Sequence, residues 1–320
     1  MSVVGAKLEA PRMPIRTGAK LSATDPTLAD DLRRRLGFAP ARFREIPTQI
    51  TLSGGGRNIA DMDLFVRESG PAGAPAIVFL HGGRTSGWSW EPVVERMPGY
   101  RCLAPDLPQF GRSVRQGPFD IGRAADAVAE LIRSRVHGGR AHLVGFSLGA
   151  QVGTQLLVSE PGLVDRAVLS GTFVNTLPFP RQTPDLMGLF ARTMWSRWLL
   201  TRRGKAREPE IPAASLDLYR EDMRLATSEQ AAQIVVASAG FTLPAGLDTS
   251  TVAALFVTGA KELPMARRWA AALARPMPHG VSAVATDMRH DWPLRHPDLF
   301  SRTVEGWLTA TSLPREIALH

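Results

Sequence analysis

Mainly apolar runs alternate along the chain with segments of helical periodicity from residue 46 onward. Runs of the kind that fills a buried parallel strand cover residues 76–80, 101–104, 141–144, 167–169, 254–257 and 281–285. Helical patterns lie between or after them at residues 121–136, 148–158, 265–274 and 297–308. Because strands that alternate with helices build parallel sheets, this order predicts an α/β fold with a doubly wound, mostly parallel sheet.

The alternation breaks between residues 173 and 247, where helical patterns follow one another without an intervening strand. This segment is predicted to be a helical cap inserted into the sheet domain. Its broad apolar face includes Phe190 and Trp195 and is typical either of a core or of the roof of a pocket. Because the insertion follows the carboxyl end of a strand, its inner face is expected to lie over the site.

The same pattern predicts the domain boundaries. The segments are an N-terminal extension with one short helix at 1–45, a sheet domain at 46–172 and 248–312, the cap at 173–247, and a C-terminal tail at 313–320. Asp25 at the N-cap and Pro26 at the first helical position mark the short helix. Docking on the main domain, a subunit contact and a flap over the site are its possible roles.

Composition narrows the classes of function. The chain has 320 residues, 44% of them apolar, which suffices for one large α/β domain with an insertion. Its formal charge of +8 comes mostly from arginines that are spread over every segment, and no nucleic-acid-binding motif accompanies them. We therefore expect a small-molecule substrate and no nucleic-acid partner.

Cysteine content and hydropathy indicate the cellular compartment of the protein. Cys102 is the single cysteine, so the chain can form neither an intrachain disulfide nor a cysteine-based metal cluster. The first twenty residues lack the apolar stretch of a secretory signal, and no run reaches the ~20 apolar residues that span a bilayer. These features predict a cytoplasmic protein with no membrane span. Separately, we expect either a monomer or a homodimer.

The candidate chemistry starts at a Gly-x-Ser-x-Gly motif, residues 145–149, which joins a predicted strand to a predicted helix. A turn this sharp needs small neighbours and lifts the serine hydroxyl above the sheet, so Ser147 is the candidate nucleophile. A serine hydroxyl needs a base that removes its proton. His290 is the best-placed histidine because it lies on a loop between a strand and a helix at the expected carboxyl edge.

A histidine base is held in one tautomer by a carboxylate. Glu262 follows the predicted strand 254–257 at the same edge and is the candidate acid, although a solvated carboxylate beside Lys261 would have the same sequence pattern. Asp287 is a less well placed alternative.

Acyl transfer also requires N–H donors for the oxyanion. We expect the backbone N–H groups of Leu148, directly after the nucleophile, and of Gly83, directly after a buried strand, unless Gly83 is a simple turn residue. This chemistry calls for no metal and no cofactor.

The chain resembles the α/β-hydrolase family over about residues 46 to 310. The matching stretches are 79–83, 104–113, 145–149, 259–262 and 290–292. The resemblance implies an eight-stranded sheet with an inserted cap, and Ser147, His290 and Glu262 as nucleophile, base and acid, with Leu148 and Gly83 as the oxyanion hole. Relatives that open epoxides or displace halide carry aspartate in place of this serine, which argues against those two reactions.

Three positions depart from the family pattern. The acid is Glu262 rather than aspartate, Arg289 replaces a glycine before the base, and Gln109 replaces a glycine within 104–113. Arg289 is expected either to receive a substrate carboxylate or to remain a solvated arginine.

The leading hypothesis is a serine hydrolase that cleaves an ester, thioester or lactone with a substantially apolar part through a Ser-His-Glu triad. The same triad could serve a C–C bond hydrolase, an amidase or aminopeptidase, or a non-hydrolytic lyase. A hypothesis of another class is a non-catalytic small-molecule-binding protein. The side chains expected to border the pocket are His81, Trp88, Phe146, Phe190, Trp195 and Arg289.

Overall fold

The computed structural model describes residues 44–46, 64–175 and 215–320, all within one compact unit that begins at Ala41. The predicted short helix near Asp25 lies outside the described residues, and so do residues 176–214 of the predicted cap.

A nine-stranded sheet organises the described residues. Its strands are β1 (Arg44–Ile46), β2 (Val66–Ser69), β3 (Ala76–Leu80), β4 (Arg101–Pro105), β5 (Ala141–Phe146), β6 (Val164–Ser170), β7 (Ala253–Gly259), β8 (Gly280–Ala285) and β9 (Ile317–Leu319). They lie in the order β1-β2-β4-β3-β5-β6-β7-β8-β9. The central strands β4, β3, β5, β6, β7 and β8 are parallel, whereas β2 pairs antiparallel with β1 and β4, and β9 with β8.

The mostly parallel sheet predicted from the strand pattern is therefore confirmed. The described sheet has nine strands, one more than the eight that the resemblance implies, and its edge strands β1 and β9 have three residues each. The second of them uses residues 317–319, which the hydropathy pattern assigned to a C-terminal tail. Three residues are too few to produce an alternating pattern, yet Ile317 is buried against β8.

Helices cover both faces of this sheet. Those within the described residues are α1 (Glu91–Val94), α2 (Ile121–Arg135), α3 (Leu148–Ser159), α4 (Leu216–Leu225), α5 (Ser228–Ala239), α6 (Pro264–Ala274), α7 (Trp292–Arg295) and α8 (Pro297–Leu308). Residues of α2, α3 and α6 form one apolar cluster with Val78 and Leu80 of β3, and residues of α1 and α8 form another with Ile77 and Phe79. Alternate residues of one strand thus supply both cores.

The helices α4 and α5 come from the predicted cap, and no strand lies between them. Helix α5 begins with a capping box in which the Thr227 side chain and the Gln230 side chain each bond the other's backbone N–H. None of the described helices is long and apolar enough to cross a membrane.

Candidate active site

Ser147 occupies a strained turn between β5 and α3. Its φ of 53° and ψ of −113° lie outside the regions that L-residues ordinarily adopt. A Cβ atom at Gly149 would lie 2.2 Å from the carbonyl oxygen of Leu80, and one at Gly145 would lie 2.7 Å from that of Gly149. The two glycines of the motif therefore let α3 approach the sheet closely enough to make this turn.

A chain of hydrogen bonds runs from Ser147 through His290 to Glu262. The Ser147 Oγ and the His290 Nε2 lie 3.1 Å apart, and the His290 Nδ1 and the Glu262 Oε2 lie 2.7 Å apart. A carboxylate only accepts hydrogen bonds, so Nδ1 carries the proton and Nε2 is left to accept from the serine hydroxyl. These three side chains follow β5, β8 and β7, whose carboxyl ends meet at one edge of the sheet.

Glu262 is held as a carboxylate. Its Oε1 accepts from the Thr258 hydroxyl at 2.8 Å and from the Gly259 N–H at 2.7 Å. Burial by itself would raise the pKa of Glu262, but the hydrogen bonds from His290, Gly259 and Thr258 and the charge of His290 outweigh it, and the pKa lies below its ordinary value. The group is thus ionised where it faces the imidazole.

The end of β6 is shaped for the histidine ring. Gly171 has a φ of 67°, and a Cβ atom there would lie 2.7 Å from the Cε1 of His290. On another side, the ring of Phe146 lies 5.0 Å from that of His290, centroid to centroid. His290 is therefore confined between backbone and an aromatic ring, while its side chain stays 47% exposed.

The backbone N–H groups of Leu148 and Gly83 are the predicted oxyanion donors. Leu148 is the first residue of α3, so its N–H has no acceptor within the helix. Gly83 lies two residues beyond His81 on the loop after β3, and both it and Ser147 line the same two cavities. Residues 82–88, which carry the Gly83 N–H, are called the oxyanion loop after that prediction.

Asp106 anchors the far end of the oxyanion loop from inside the core. It is fully buried, accepts from the Gly87 N–H at 2.8 Å and the Arg112 N–H at 2.9 Å, and is ion-paired with Arg67 at 2.6 Å. Asp106 belongs to the stretch 104–113, on which the family resemblance partly rests, although the sequence indicated no role for its side chain. Because an unpaired buried charge is strongly destabilising, the Asp106 carboxylate is buried together with its partner Arg67.

Three cavities meet at Ser147. The cap cavity, about 420 Å³, is bounded by α4 and α5 and includes Leu148, Ile234 and Asp222. The aromatic cavity, about 260 Å³, is bounded by Trp88 and Phe146 and reaches His290. The acid-side cavity, about 830 Å³, lies beyond Glu262.

The pocket side chains predicted from the sequence are divided among these cavities. Trp88 and Phe146 line the aromatic cavity and Arg289 lines the acid-side cavity. Phe190 and Trp195 lie outside the described residues.

His81, which was predicted to border the pocket, instead has its ring buried in the core. It is fully buried, and its Nε2 accepts from the Leu107 N–H at 2.9 Å while Nδ1 lies 2.8 Å from the Gly82 carbonyl oxygen. Burial is the main cause that lowers the pKa of His81 to about 4. It is a neutral imidazole that joins the loops after β3 and β4 rather than a pocket residue.

Gln109, the departure from the family glycine, joins the core to the cap. It has a φ of 66°, in the left-handed region that favours glycine, and its Nε2 donates to the Gly117 carbonyl at 2.6 Å and to the Gln233 Oε1 on α5 at 3.0 Å. The glutamine thus keeps a glycine-like backbone and adds a contact that a glycine could not make.

Two residues of α4, Tyr219 and Asp222, contact the site although no sequence motif marked them. The Asp222 Oδ2 accepts from the Trp88 Nε1–H at 2.7 Å, and burial, the largest cause, raises the pKa of Asp222 to about 6. The contact joins residues 134 positions apart in the chain, so neither periodicity nor spacing announces it.

Comparison with known proteins places the chain in a family. The model of the alpha/beta hydrolase family matches residues 77–303, more than half of the chain. An AB hydrolase superfamily protein of Gibberella zeae is 26% identical over 268 residues, 80% of this chain and 88% of that protein. A pimeloyl-[acyl-carrier protein] methyl ester esterase of Pectobacterium atrosepticum is 26% identical over 253 residues, 75% of this chain and 96% of its own.

Among solved structures, the enol-lactonase from Burkholderia xenovorans LB400 is similar with a TM-score of 0.60 at 22% identity, covering 77% of this chain and 96% of that one. A likeness at this identity shows the fold alone. By its matching residues and its fold, this chain belongs to the alpha/beta hydrolase family.

Proposed function

We propose that the protein is a serine esterase that cleaves an ester, thioester or lactone bond of a largely apolar small molecule through an acyl-enzyme on Ser147. The observation that carries the proposal is the continuous chain of hydrogen bonds from Ser147 to His290 to Glu262. A binding protein has no need of a serine held against a base and an acid in this order. The esterase and lactonase names among the similar proteins also favour this bond type.

In the proposed reaction, the Ser147 Oγ attacks the acyl carbonyl carbon while the His290 Nε2 takes the hydroxyl proton. Glu262 stabilises the imidazolium that forms, and the N–H groups of Leu148 and Gly83 bind the oxyanion. The C–O or C–S bond then breaks as His290 returns the proton to the leaving group. Water, deprotonated by His290, releases the acid and restores the serine hydroxyl.

The cavities suggest where each part of the substrate lies. His290 must reach the leaving group, and it lines the aromatic and acid-side cavities. The cap cavity contains Ser147 and both expected oxyanion donors, and its remaining walls are mostly apolar. We assign the acyl chain to the cap cavity, whose volume of about 420 Å³ is that of an ordinary small-ligand pocket.

The test is covalent labelling with a fluorophosphonate probe, read by intact mass, in the wild type, Ser147→Ala and Ser134→Ala. Ser134 is an exposed serine of α2 whose hydroxyl bonds the carbonyl of its own helix, so it serves as the matched control. We expect one adduct on the wild type and on Ser134→Ala and none on Ser147→Ala. An adduct or full ester turnover in Ser147→Ala would contradict the proposal.

A series of p-nitrophenyl esters of increasing acyl length then tests whether the acyl chain binds in the cap cavity. Each methylene that enters the cap cavity is expected to add up to about 0.8 kcal/mol of binding energy, so kcat/KM should rise from the acetyl to the hexanoyl ester. A series that falls steadily from acetyl would contradict the assignment of the acyl chain to this cavity.

A further inference from the structure

We propose that Tyr219 and Asp222 of cap helix α4 are positioning residues for the oxyanion loop, residues 82–88, so that the cap helps to set the rate of turnover in addition to enclosing the substrate. The inference rests on the proposed function, because it assigns a task to residues that contact the loop bearing the Gly83 N–H.

Two side-chain hydrogen bonds join α4 to this loop. The Arg84 Nη2–H donates to the Tyr219 Oη at 2.9 Å, and the Trp88 Nε1–H donates to the Asp222 Oδ2 at 2.7 Å. The acceptors are three residues apart and so lie on one side of the helix. Tyr219 and Trp88 are each 3% exposed, so each bond has one buried partner.

The loop needs such support because its backbone is strained. Arg84 has a φ of 70°, in the left-handed region that is unfavourable for a residue with a side chain. Conformations of this kind persist where the surroundings hold them in place. The strained residue directly follows Gly83, so a relaxation of Arg84 would turn the Gly83 N–H.

The core and the cap hold different parts of the loop. On the core side, Asp106 accepts from the Gly87 N–H at 2.8 Å, and within the loop the Thr85 hydroxyl donates to the Gly82 carbonyl at 3.1 Å. On the cap side, the contacts reach the side chains of Arg84 and Trp88. The cap thus contacts the loop on both sides of Gly87, the residue that the core holds.

Positioning of an oxyanion donor has a kinetic signature of its own. The donor must lie about 2.7–3.1 Å from the oxyanion, which exists in the transition state and not in the bound substrate. Loss of position therefore lowers kcat and leaves KM nearly unchanged, whereas loss of a substrate contact raises KM. This difference separates positioning from a simple lining role in the cap cavity.

The first experiment measures kcat and KM for a p-nitrophenyl ester in Tyr219→Phe, Asp222→Ala and Asp222→Asn. We expect Tyr219→Phe and Asp222→Ala each to lower kcat about fivefold to tenfold, the effect of one hydrogen bond, with KM within about twofold of wild type. Asp222→Asn keeps an oxygen that accepts from Trp88, so its kcat should return to within about twofold of wild type.

Gln230→Ala is the matched control. It removes a hydrogen bond of 2.8 Å from the other cap helix, α5, to the Val114 carbonyl, and this bond does not reach the oxyanion loop. We expect its kcat to stay within about twofold of wild type.

A second measurement does not depend on turnover. Hydrogen exchange of the amides at residues 82–88 should be faster in Tyr219→Phe and Asp222→Ala than in the wild type, with exchange along β5 unchanged. Wild-type kcat, or a raised KM with wild-type kcat, in both variants would overturn the inference, and so would unchanged exchange in the loop. If the wild type takes no fluorophosphonate, the proposed function fails, and the exchange result still decides whether α4 holds the loop.

Discussion

The edge of the sheet and the cap contribute to the site by different physical means. At the sheet edge, Ser147, Glu262 and His290 are placed by the backbone, because each lies just beyond the end of a parallel strand. In the cap, Tyr219 and Asp222 reach the same site through single side-chain hydrogen bonds across more than a hundred residues of chain. The proposed reacting groups are thus fixed by the fold, whereas each contact of the surrounding groups depends on a single side chain.

This contrast predicts that substitutions at the sheet edge lower turnover strongly and change stability less. In His290→Ala we expect turnover to fall by about 10⁴, because the proposed base, hydrogen-bonded to the Ser147 Oγ, is lost. The free energy of unfolding should change little, since the side chain is 47% exposed. Ester kinetics and thermal unfolding measure both effects.

His137→Ala is the control for this prediction. His137 is exposed in the turn after α2 and should keep wild-type turnover. A His290→Ala protein whose turnover lies within tenfold of the wild-type value would contradict the proposed role of the sheet edge.

Glu262→Gln tests the second group of the sheet edge. A glutamine can present an N–H to the imidazole and favour the wrong tautomer, so we expect kcat to fall by about 10²–10³ with KM nearly unchanged. The pH dependence of stability provides an independent check on the same residue.

The pKa of Glu262 is lowered in the folded protein, so its ionised form stabilises the fold. The stabilisation is fully present above the unfolded pKa of about 4.3 and is lost as pH falls through the lowered folded value. The wild type should therefore exceed Glu262→Gln in free energy of unfolding at neutral pH and lose that advantage in acid. Denaturant titrations from pH 3 to pH 7 measure it, and a gap that widens in acid would contradict the assignment.

In the cap, Asp222 makes the opposite contribution to the pH dependence of stability. Its folded pKa of about 6 lies above the ordinary value of 3.8, so the native state binds the proton more tightly and wild-type stability falls as pH rises from about 4 to about 6. Asp222→Asn cannot titrate and should be more stable than the wild type at pH 7.5, by up to about 3 kcal/mol. Denaturant unfolding at pH 4 and pH 7.5 tests this, and an equal difference at the two values would show that the carboxylate is not destabilised by burial.

The smallest effect is expected at the start of α5. Gln230→Ala removes the bond that the Gln230 Oε1 accepts from the Thr227 N–H, which is one half of the capping box, and the bond to the Val114 carbonyl. These losses should cost about 1 kcal/mol of stability confined to the cap. Hydrogen exchange along α5 measures it. Destabilisation that spreads to β5 would mean that cap and core unfold as one unit, and the contrast between them would lose its basis.

The sheet edge could be predicted from the sequence because local geometry restricts the residues that can occupy it. A glycine is required at 145 and 149 by the close approach of α3, so the motif reports a backbone shape. Glu262 and His290 could be placed because parallel strands bring their carboxyl ends together. In each case the signal lies within a few residues of the feature that it predicts.

The rest of the site has no such local signal. Tyr219 and Asp222 look like ordinary helix residues, and their partners lie in a loop that is remote in sequence. His81 was expected in the pocket, but its ring is buried in the core, where its Nε2 accepts from the Leu107 N–H. The ring direction depends on the loop after another strand, which hydropathy does not reveal.

The unequal cavities that His290 lines have a stereochemical consequence. In the proposed reaction the oxyanion donors fix which face of the carbonyl the serine attacks, and the leaving group has two spaces beside it, the aromatic cavity of about 260 Å³ and the acid-side cavity of about 830 Å³. An ester of a chiral secondary alcohol must then orient its larger substituent toward the larger space, and its mirror image would have to exchange the two. Supplied with a racemate, the enzyme should consume one enantiomer faster and leave the other enriched.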